Sequence, residues 1–94
     1  MDVLSDADVQ AALAALPGWG RIANEIEKTF DCASFADAIA FVVRIGFLAE
    51  GANHHPDIDV RWRKVRVALT THDAGGLTAK DIELAGAIEE VNRA

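Results

Sequence analysis

Three short polar patterns, each a Ser or Thr followed three residues later by Asp, constrain the fold of this 94-residue chain. In such a capping box, the two side chains can satisfy backbone groups left without a partner in the first turn of a helix. Apolar residues recur at helical spacing after each pattern. The sequence therefore predicts three helices, opened by Ser5 with Asp8, Ser34 with Asp37, and Thr78 with Asp81.

The segments between these helices alternate apolar and polar residues at a period of two, which is typical of β-strands. Trp19 to Phe30 is predicted to form a short hairpin that turns at Asn24-Glu25. Ile58 to Trp62 and Val65 to Thr71 are predicted to be two further strands, before a break at Gly75-Gly76. The order helix, two strands, helix, two strands, helix predicts an α+β fold with helices on one face of an antiparallel sheet.

The middle helix, predicted to run to about Glu50, is apolar on nearly all sides. One stripe is predicted to face the core: Phe35, Ala38, Ile39, Val42, Ile45 and Ala49. Further apolar residues lie largely outside it: Phe41, Val43, Phe47 and Leu48. A helix of this kind is normally covered on more than one side. In so short a chain, the second cover is predicted to be another subunit.

Composition bounds the class of protein. The length predicts a single domain, residues 1–94. A net charge of −6 argues against nucleic acid as the main ligand. One cysteine, Cys32, cannot form an internal disulfide, and the N-terminus has no signal-peptide pattern. No apolar stretch is long enough to span a bilayer. We interpret the chain as a soluble cytoplasmic domain with neither nucleic acid nor membrane as partner.

Four basic residues crowd into one short stretch of the predicted strands: Arg61, Arg63, Lys64 and Arg66. Such a run can be a solvated strand face paired with acidic neighbours, or an anion site. The first interpretation is favoured, because such charge runs are more often a solvated face than a ligand site.

All three histidines lie in two motifs, His54-His55-Pro56 and Thr71-His72-Asp73. Histidine exchanges protons near neutral pH, so the pattern suggests a proton-transfer site. Pro56 biases His55 toward an extended backbone, in which adjacent side chains point to opposite sides. A zinc site with Asp73 or Asp81 is a rival hypothesis, but adjacent histidines lack the helical spacing of zinc motifs. Loop or capping roles are the structural alternative.

The residues around the two motifs resemble a known family, the pterin-4a-carbinolamine dehydratases. The matching runs are Glu50-x-x-x-His54-His55-Pro56, Lys64-Val65 and Thr71-His72-Asp73-Ala74-Gly75-Gly76-Leu77-Thr78-x-x-Asp81, with Trp19 after Pro17-Gly18. The resemblance covers almost the whole chain from Leu16 onward. Ile58 and Trp62 depart from residues that are frequent in the family, which bears on substrate fit or subunit contact.

The resemblance implies a four-stranded antiparallel sheet with three helices on one face, assembled as homodimers or homotetramers. It implies dehydration of a 4a-hydroxytetrahydropterin to the quinonoid dihydropterin, without metal or organic cofactor, in recycling of the pterin used by aromatic amino-acid hydroxylases. Its active-site histidines correspond to His54, His55 and His72. The expected substrate-binding neighbours are Glu50, Trp19, Pro56, Asp73 and Asp81.

The presence of all three histidines favours a dehydratase. We expect His54 and His72 to be the acid–base pair and His55 to bind or orient the substrate. The alternative is a non-catalytic relative that binds another protein, as an assembly factor, a chaperone or a transcriptional cofactor.

Overall fold

A computed structural model describes residues 2–93 as four strands and three helices with one 3-10 turn. The elements are α1 (Asp6–Ala14), β1 (Gly20–Ile22), β2 (Glu25–Asp31), α2 (Phe35–Ala52), β3 (Asp57–Arg61), β4 (Lys64–Leu69), the 3-10 turn (His72–Ala74) and α3 (Ala79–Arg93). All neighbouring strands pair antiparallel, in the order β1-β2-β4-β3. The predicted α+β fold and its element order are confirmed.

The capping patterns begin the helices as predicted. The Ser5 hydroxyl accepts from the Asp8 N–H at 3.1 Å, and the Ser34 hydroxyl accepts from the Asp37 N–H at 3.0 Å. At α3 both side chains of the capping box accept from backbone N–H groups. The Asp81 carboxylate accepts from the Thr78 N–H at 2.9 Å, while the Thr78 hydroxyl accepts from the Lys80 N–H at 3.3 Å.

The two faces of the sheet differ in chemistry. Ile26 lies opposite Leu69 and Phe30 opposite Val65, and all four side chains are buried. Residues of all three helices join them in one core: Val9 of α1, Ala38, Phe41, Ile45 and Ala49 of α2, and Leu84, Ala85 and Ile88 of α3. The helices therefore cover this face of the sheet. The alternating positions carry charged residues on the other face.

Most of the basic cluster lies among acidic residues. Arg61 pairs with Asp59 at 3.1 Å, Arg63 with Asp31 at 3.1 Å, and Arg66 with Glu27. These pairs favour the interpretation of a solvated, charge-paired sheet face over that of an anion site.

Several strand boundaries differ from the prediction, and β4 ends at Leu69 rather than at Thr71. The first hairpin turns at Ala23-Asn24 rather than Asn24-Glu25, and Ala23 has a positive φ of 52°. Strand β3 ends at Arg61, so Trp62 lies in the following turn with φ 54° and is 70% exposed. Period-two alternation continues through a tight turn and therefore does not mark where a strand ends.

The predicted core stripe of α2 is partly wrong. Its buried residues are Ala38, Phe41, Ile45 and Ala49, whereas Phe35 and Ile39 are exposed. Because the helix is apolar on all sides, periodicity alone does not select the face that meets the sheet. The helix also continues past Glu50 to Ala52. Within residues 2–93, no helix has both the length and the apolar character needed to cross a bilayer.

Candidate active site

The His-His-Pro motif begins where α2 ends. Asn53 adopts a left-handed backbone with φ 50°, a conformation that commonly ends helices and that asparagine tolerates. The N–H groups of Asn53 and His54 donate to the carbonyls of Glu50 and Ala49, at 3.2 and 3.0 Å. This turn sends the chain back toward the sheet. It directs His54 into the protein, where it is buried.

The second motif forms a tight loop after β4. The Thr71 carbonyl accepts from the N–H groups of Ala74 and Gly75, both at 3.1 Å, and the Thr71 N–H donates to the Gly76 carbonyl at 3.2 Å. Gly75 has φ 77°, which glycine adopts without steric cost. His72 starts the 3-10 turn inside this loop and is exposed. A rigid loop thus presents an accessible imidazole.

A buried carboxylate joins the two motifs. Asp81 is fully buried, and its Oδ1 lies 2.6 Å from His54 Nε2. Its Oδ2 accepts from the Thr71 hydroxyl at 2.8 Å, in addition to the Thr78 N–H. Thr71 directly precedes His72 in the chain, so Asp81 ties the residue before one histidine to the ring of another. Buried carboxylates need such partners, because an unpaired charge in the interior is costly.

His55 has a different environment from His54, which agrees with the extended geometry expected before Pro56. Its Nε2 lies 2.7 Å from Glu50 Oε1, and both side chains are exposed. Pro56 is half-buried and directly precedes β3. The pair at Glu50 therefore holds a solvent-accessible imidazole at the end of α2.

Three clefts border the histidine motifs. A cleft of about 350 Å³ is lined by Ala23, Asn24, Glu25, Thr70, His72, Gly75 and Gly76. A groove of about 430 Å³ between α2 and α3 is lined by Leu48, Gly51, Ala52, His54, Lys80, Glu83, Leu84 and Ala87. A smaller cleft of about 180 Å³ is lined by Thr71, Asp73, Ala74 and Lys80. His54 and His72 thus border different clefts, while Asp73 borders the small one.

Trp19 is placed apart from the histidines. It is buried, its indole N–H donates to Glu89 at 2.8 Å, and its ring meets the Phe30 ring edge-on with centroids 6.1 Å apart. Glu89 lies about 12 Å along α3 from Asp81, at 1.5 Å per residue. Trp19 lines none of the three clefts described above. Its contacts within residues 2–93 are those of a core residue, and substrate binding by Trp19 stays a prediction.

Sequence reasoning did not anticipate the ion pair beside Trp19. Lys28 Nζ pairs with Glu89 and also donates to the Pro17 carbonyl at 3.0 Å. Lys28 lies at alternate positions with Ile26 and Phe30 in β2, and this period of two is a signal for an inward-facing lysine. Its acidic partner comes from a distant helix, and no local pattern indicates it. Within residues 2–93, no three His, Cys, Asp or Glu side chains are arranged to hold a metal ion.

Comparison with known proteins gives consistent results. A family model described as pterin 4 alpha carbinolamine dehydratase matches residues 2–91. A protein of Roseiflexus sp. strain RS-1 is 62% identical over 94% of this chain and 95% of its own length. One of Chloroflexus aurantiacus strain J-10-fl is 57% identical over 97% of this chain and 98% of its own. Both carry the provisional name pterin-4-alpha-carbinolamine dehydratase.

A solved structure shares the fold. The crystal structure of a transcriptional coactivator/pterin dehydratase from Brucella melitensis superposes with a TM-score of 0.93 at 29% identity, covering 96% of this chain and 98% of that one. The match of the family model to nearly the whole chain, together with these relatives, shows that the chain belongs to the pterin-4-alpha-carbinolamine dehydratase family.

Proposed function

We propose that this chain is a hydro-lyase that converts a 4a-hydroxytetrahydropterin to the quinonoid dihydropterin and water. The observation that carries the proposal is the buried Asp81 carboxylate, which holds His54 on one oxygen and the Thr71-His72 loop on the other. Such an arrangement orients His54 and anchors the loop that carries His72. Orientation of acid–base groups by a fixed carboxylate is a common feature of catalytic histidines.

The reaction needs two proton transfers. The C4a–O bond breaks and the hydroxyl leaves as water, after receiving a proton from an imidazolium. The N5 lone pair forms the C4a=N5 double bond, and the N5 proton passes to a neutral imidazole. One proton is given and one is taken, so the reaction is balanced without a metal or organic cofactor. Each positioned acid or base contributes typically about 10²–10⁴-fold to the rate.

The environments of the three histidines suggest their roles. His54, held by Asp81, and His72, exposed on its rigid loop, are the proposed acid–base pair. His55, paired with Glu50 at the surface, is proposed to bind or orient the pterin. Asp81 is fully buried with both oxygens engaged, so we assign it a positioning role rather than the substrate contact expected from the resemblance.

The test is to follow carbinolamine breakdown with the purified protein and with His54→Ala and His72→Ala. We expect acceleration by the wild type and a loss of about 100-fold or more in each variant, since one acid–base group is removed. Asn92→Ala, an exposed change near the C-terminus of α3, is the matched control and should retain full activity. Circular dichroism checks that each variant is folded. A wild type that does not accelerate the reaction would refute the dehydratase proposal.

A second candidate function is protein binding. It is favoured by an exposed apolar stripe on α2, formed by Phe35, Ile39, Val43 and Phe47. It is also favoured by the name of the Brucella melitensis relative, which includes transcriptional coactivator. In this case the chain acts as an assembly factor, chaperone or transcriptional cofactor. A specific complex that persists in His54→Ala and is lost on substitution of the stripe would support binding as the function.

Two further parts of the dehydratase proposal concern the oligomeric state of the protein and the process in which it acts. We propose that the α2 stripe pairs with a second copy of the chain to form a homodimer or homotetramer. We further propose that the enzyme acts in the cytoplasm to recycle the pterin of an aromatic amino-acid hydroxylase. A gene for such a hydroxylase beside this one would support that context.

A further inference from the structure

A chain of hydrogen bonds runs from the start of α3 to the His54 ring. The Lys80 N–H meets the Thr78 hydroxyl at 3.3 Å, and the Thr78 and Thr71 hydroxyl oxygens are 2.8 Å apart. The Thr71 hydroxyl meets Asp81 Oδ2 at 2.8 Å, and Asp81 Oδ1 meets His54 Nε2 at 2.6 Å. The three side chains between Lys80 and His54 are all buried. Water therefore has little access to exchange with these bonds.

The direction of each bond follows from the groups involved. An ionised carboxylate can only accept, so the single hydroxyl hydrogen of Thr71 points to Asp81. The Thr71 oxygen must then accept from the Thr78 hydroxyl, which in turn accepts from the Lys80 N–H. The N-terminus of α3 favours a negative side chain at Asp81, because the helix dipole is positive there. Each of the two hydroxyls thus accepts one hydrogen bond and donates one, and every donor in the chain points toward the Asp81 carboxylate.

This orientation determines which nitrogen of His54 carries hydrogen. Asp81 accepts at Oδ1, so His54 Nε2 is the donor and holds its hydrogen in the neutral and the protonated ring alike. The nitrogen left to exchange a proton with a substrate is Nδ1. We propose that Thr71 is a positioning residue that, through Asp81, fixes His54 in the Nε2–H tautomer and leaves Nδ1 for chemistry. The part that concerns turnover rests on the proposed dehydratase function.

Thr71 is the link on which both motifs depend. Its hydroxyl holds Asp81, while its backbone groups close the loop that carries His72. It is 8% exposed, and its hydroxyl is engaged by Thr78 and Asp81. Valine has nearly the shape of threonine and keeps the backbone bonds, so Thr71→Val removes the hydroxyl alone. Thr71→Ser keeps the hydroxyl and is the conservative counterpart.

The first measurement is the tautomer of His54 in the free, ¹⁵N-labelled protein, read from two-bond ¹H–¹⁵N correlations at a pH where the ring is neutral. We expect the Nε2–H form in the wild type, a mixture of both forms in Thr71→Val, and recovery of the Nε2–H form in Thr71→Ser. Thr70→Val is the matched control, because the Thr70 hydroxyl donates to the Asn24 carbonyl and not to Asp81. It should leave the tautomer unchanged.

The second measurement is turnover. We expect Thr71→Val to lower kcat about 10-fold or more with little change in KM, as is usual when a residue that orients a functional side chain through hydrogen bonds is lost. Thr71→Ser should restore kcat. A wild-type His54 with its hydrogen on Nδ1 would overturn the proposal even if the valine variant does not fold. An unchanged tautomer and kcat in a folded Thr71→Val would also overturn it. If the tautomer responds as expected but the wild type does not accelerate dehydration, the positioning role stands and the dehydratase function falls.

Discussion

At Asp81, two requirements are met by one side chain. The carboxylate accepts the Thr78 N–H in the first turn of α3 and also holds the His54 ring. The capping role was predictable, since it depends on residues three apart in the sequence. The pairing with His54 was not, because it depends on how α3 packs against the end of α2. Local patterns indicate local hydrogen bonds, whereas the partner of a buried charge is set by tertiary structure.

Cys32 gives a prediction at the same scale. Burial raises the pKa of its thiol, and the negative charges of Asp37 and Asp31 raise this pKa further. The reactive form is the thiolate. We therefore expect alkylation by iodoacetamide at pH 7 to be slower in the folded protein than in urea. The folded rate should also begin to rise at a higher pH than the unfolded rate.

Stability should respond to the same group. The raised pKa means that the folded state favours the protonated thiol. The contribution of Cys32 to the free energy of unfolding is therefore complete below the pKa of the unfolded state and is lost as pH rises through the pKa of the folded state.

Asp37→Asn should speed alkylation of Cys32 in the folded protein, because it removes one of the negative charges that raise the thiol pKa. Folded and urea-treated samples that react at equal rates would contradict the raised pKa.

Among the secondary-structure elements, the order of helices and strands was predicted correctly, but the buried faces of α2 and α3 were predicted only in part. Alternation and capping placed every helix and strand in the correct order. For α2, however, the predicted stripe included Phe35 and Ile39, which are exposed, and omitted Phe41, which is buried. For α3, the helical spacing of Leu84, Ala87, Ile88 and Val91 predicts a buried face. Leu84 and Ile88 are buried, but so is Glu89, which this spacing does not include. A charged residue on a core face is recognisable once its partners, Lys28 and Trp19, are known.

The attachment of α3 to β2 through Glu89 can be tested by unfolding. Glu89 and Lys28 side chains are 11% and 19% exposed. We expect Glu89→Ala to lower the free energy of unfolding by about 2–4 kcal/mol, because it leaves a lysine charge largely buried without its partner. Urea denaturation followed by tryptophan fluorescence measures this value. Trp19 loses its hydrogen bond in the same variant.

The matched control for this experiment is the next residue. Glu90 pairs with Arg93 on the surface, at 2.9 Å. Glu90→Ala should change stability little, since exposed ion pairs contribute little. Similar losses of unfolding free energy in Glu89→Ala and Glu90→Ala would show that the buried ion pair contributes no more to stability than the exposed one.

On the scale of the whole molecule, one apolar stripe has no cover within the described chain. Phe35, Ile39, Val43 and Phe47 recur every four residues along α2 and are 41–77% exposed. The all-round apolar character of α2 was visible in the sequence. Val43 and Phe47 were expected outside the core stripe, whereas Phe35 and Ile39 were expected within it. A chain with net charge −6 is otherwise well suited to remain dispersed, so this stripe is the expected contact between copies.

We expect the wild type to be an oligomer by light scattering and Phe47→Glu to shift it toward the monomer. The glutamate places a charge within the apolar stripe, where contact with a second copy would desolvate it. Gln10→Glu, on the exposed side of α1, makes the same change in net charge away from the stripe and should leave the mass unchanged. A monomeric wild type would refute the predicted assembly.

The shared carboxylate at the start of α3 also has a thermodynamic consequence. The His54 ring and the first turn of the helix are held through one buried group, so whatever binds that ring acts on helix opening as well. Ligand binding and local unfolding of α3 are then linked equilibria: occupancy suppresses fraying of the helix, and fraying releases the ligand. If the proposed pterin binds the His54 ring, its binding would therefore stabilise the first turn of α3 against opening.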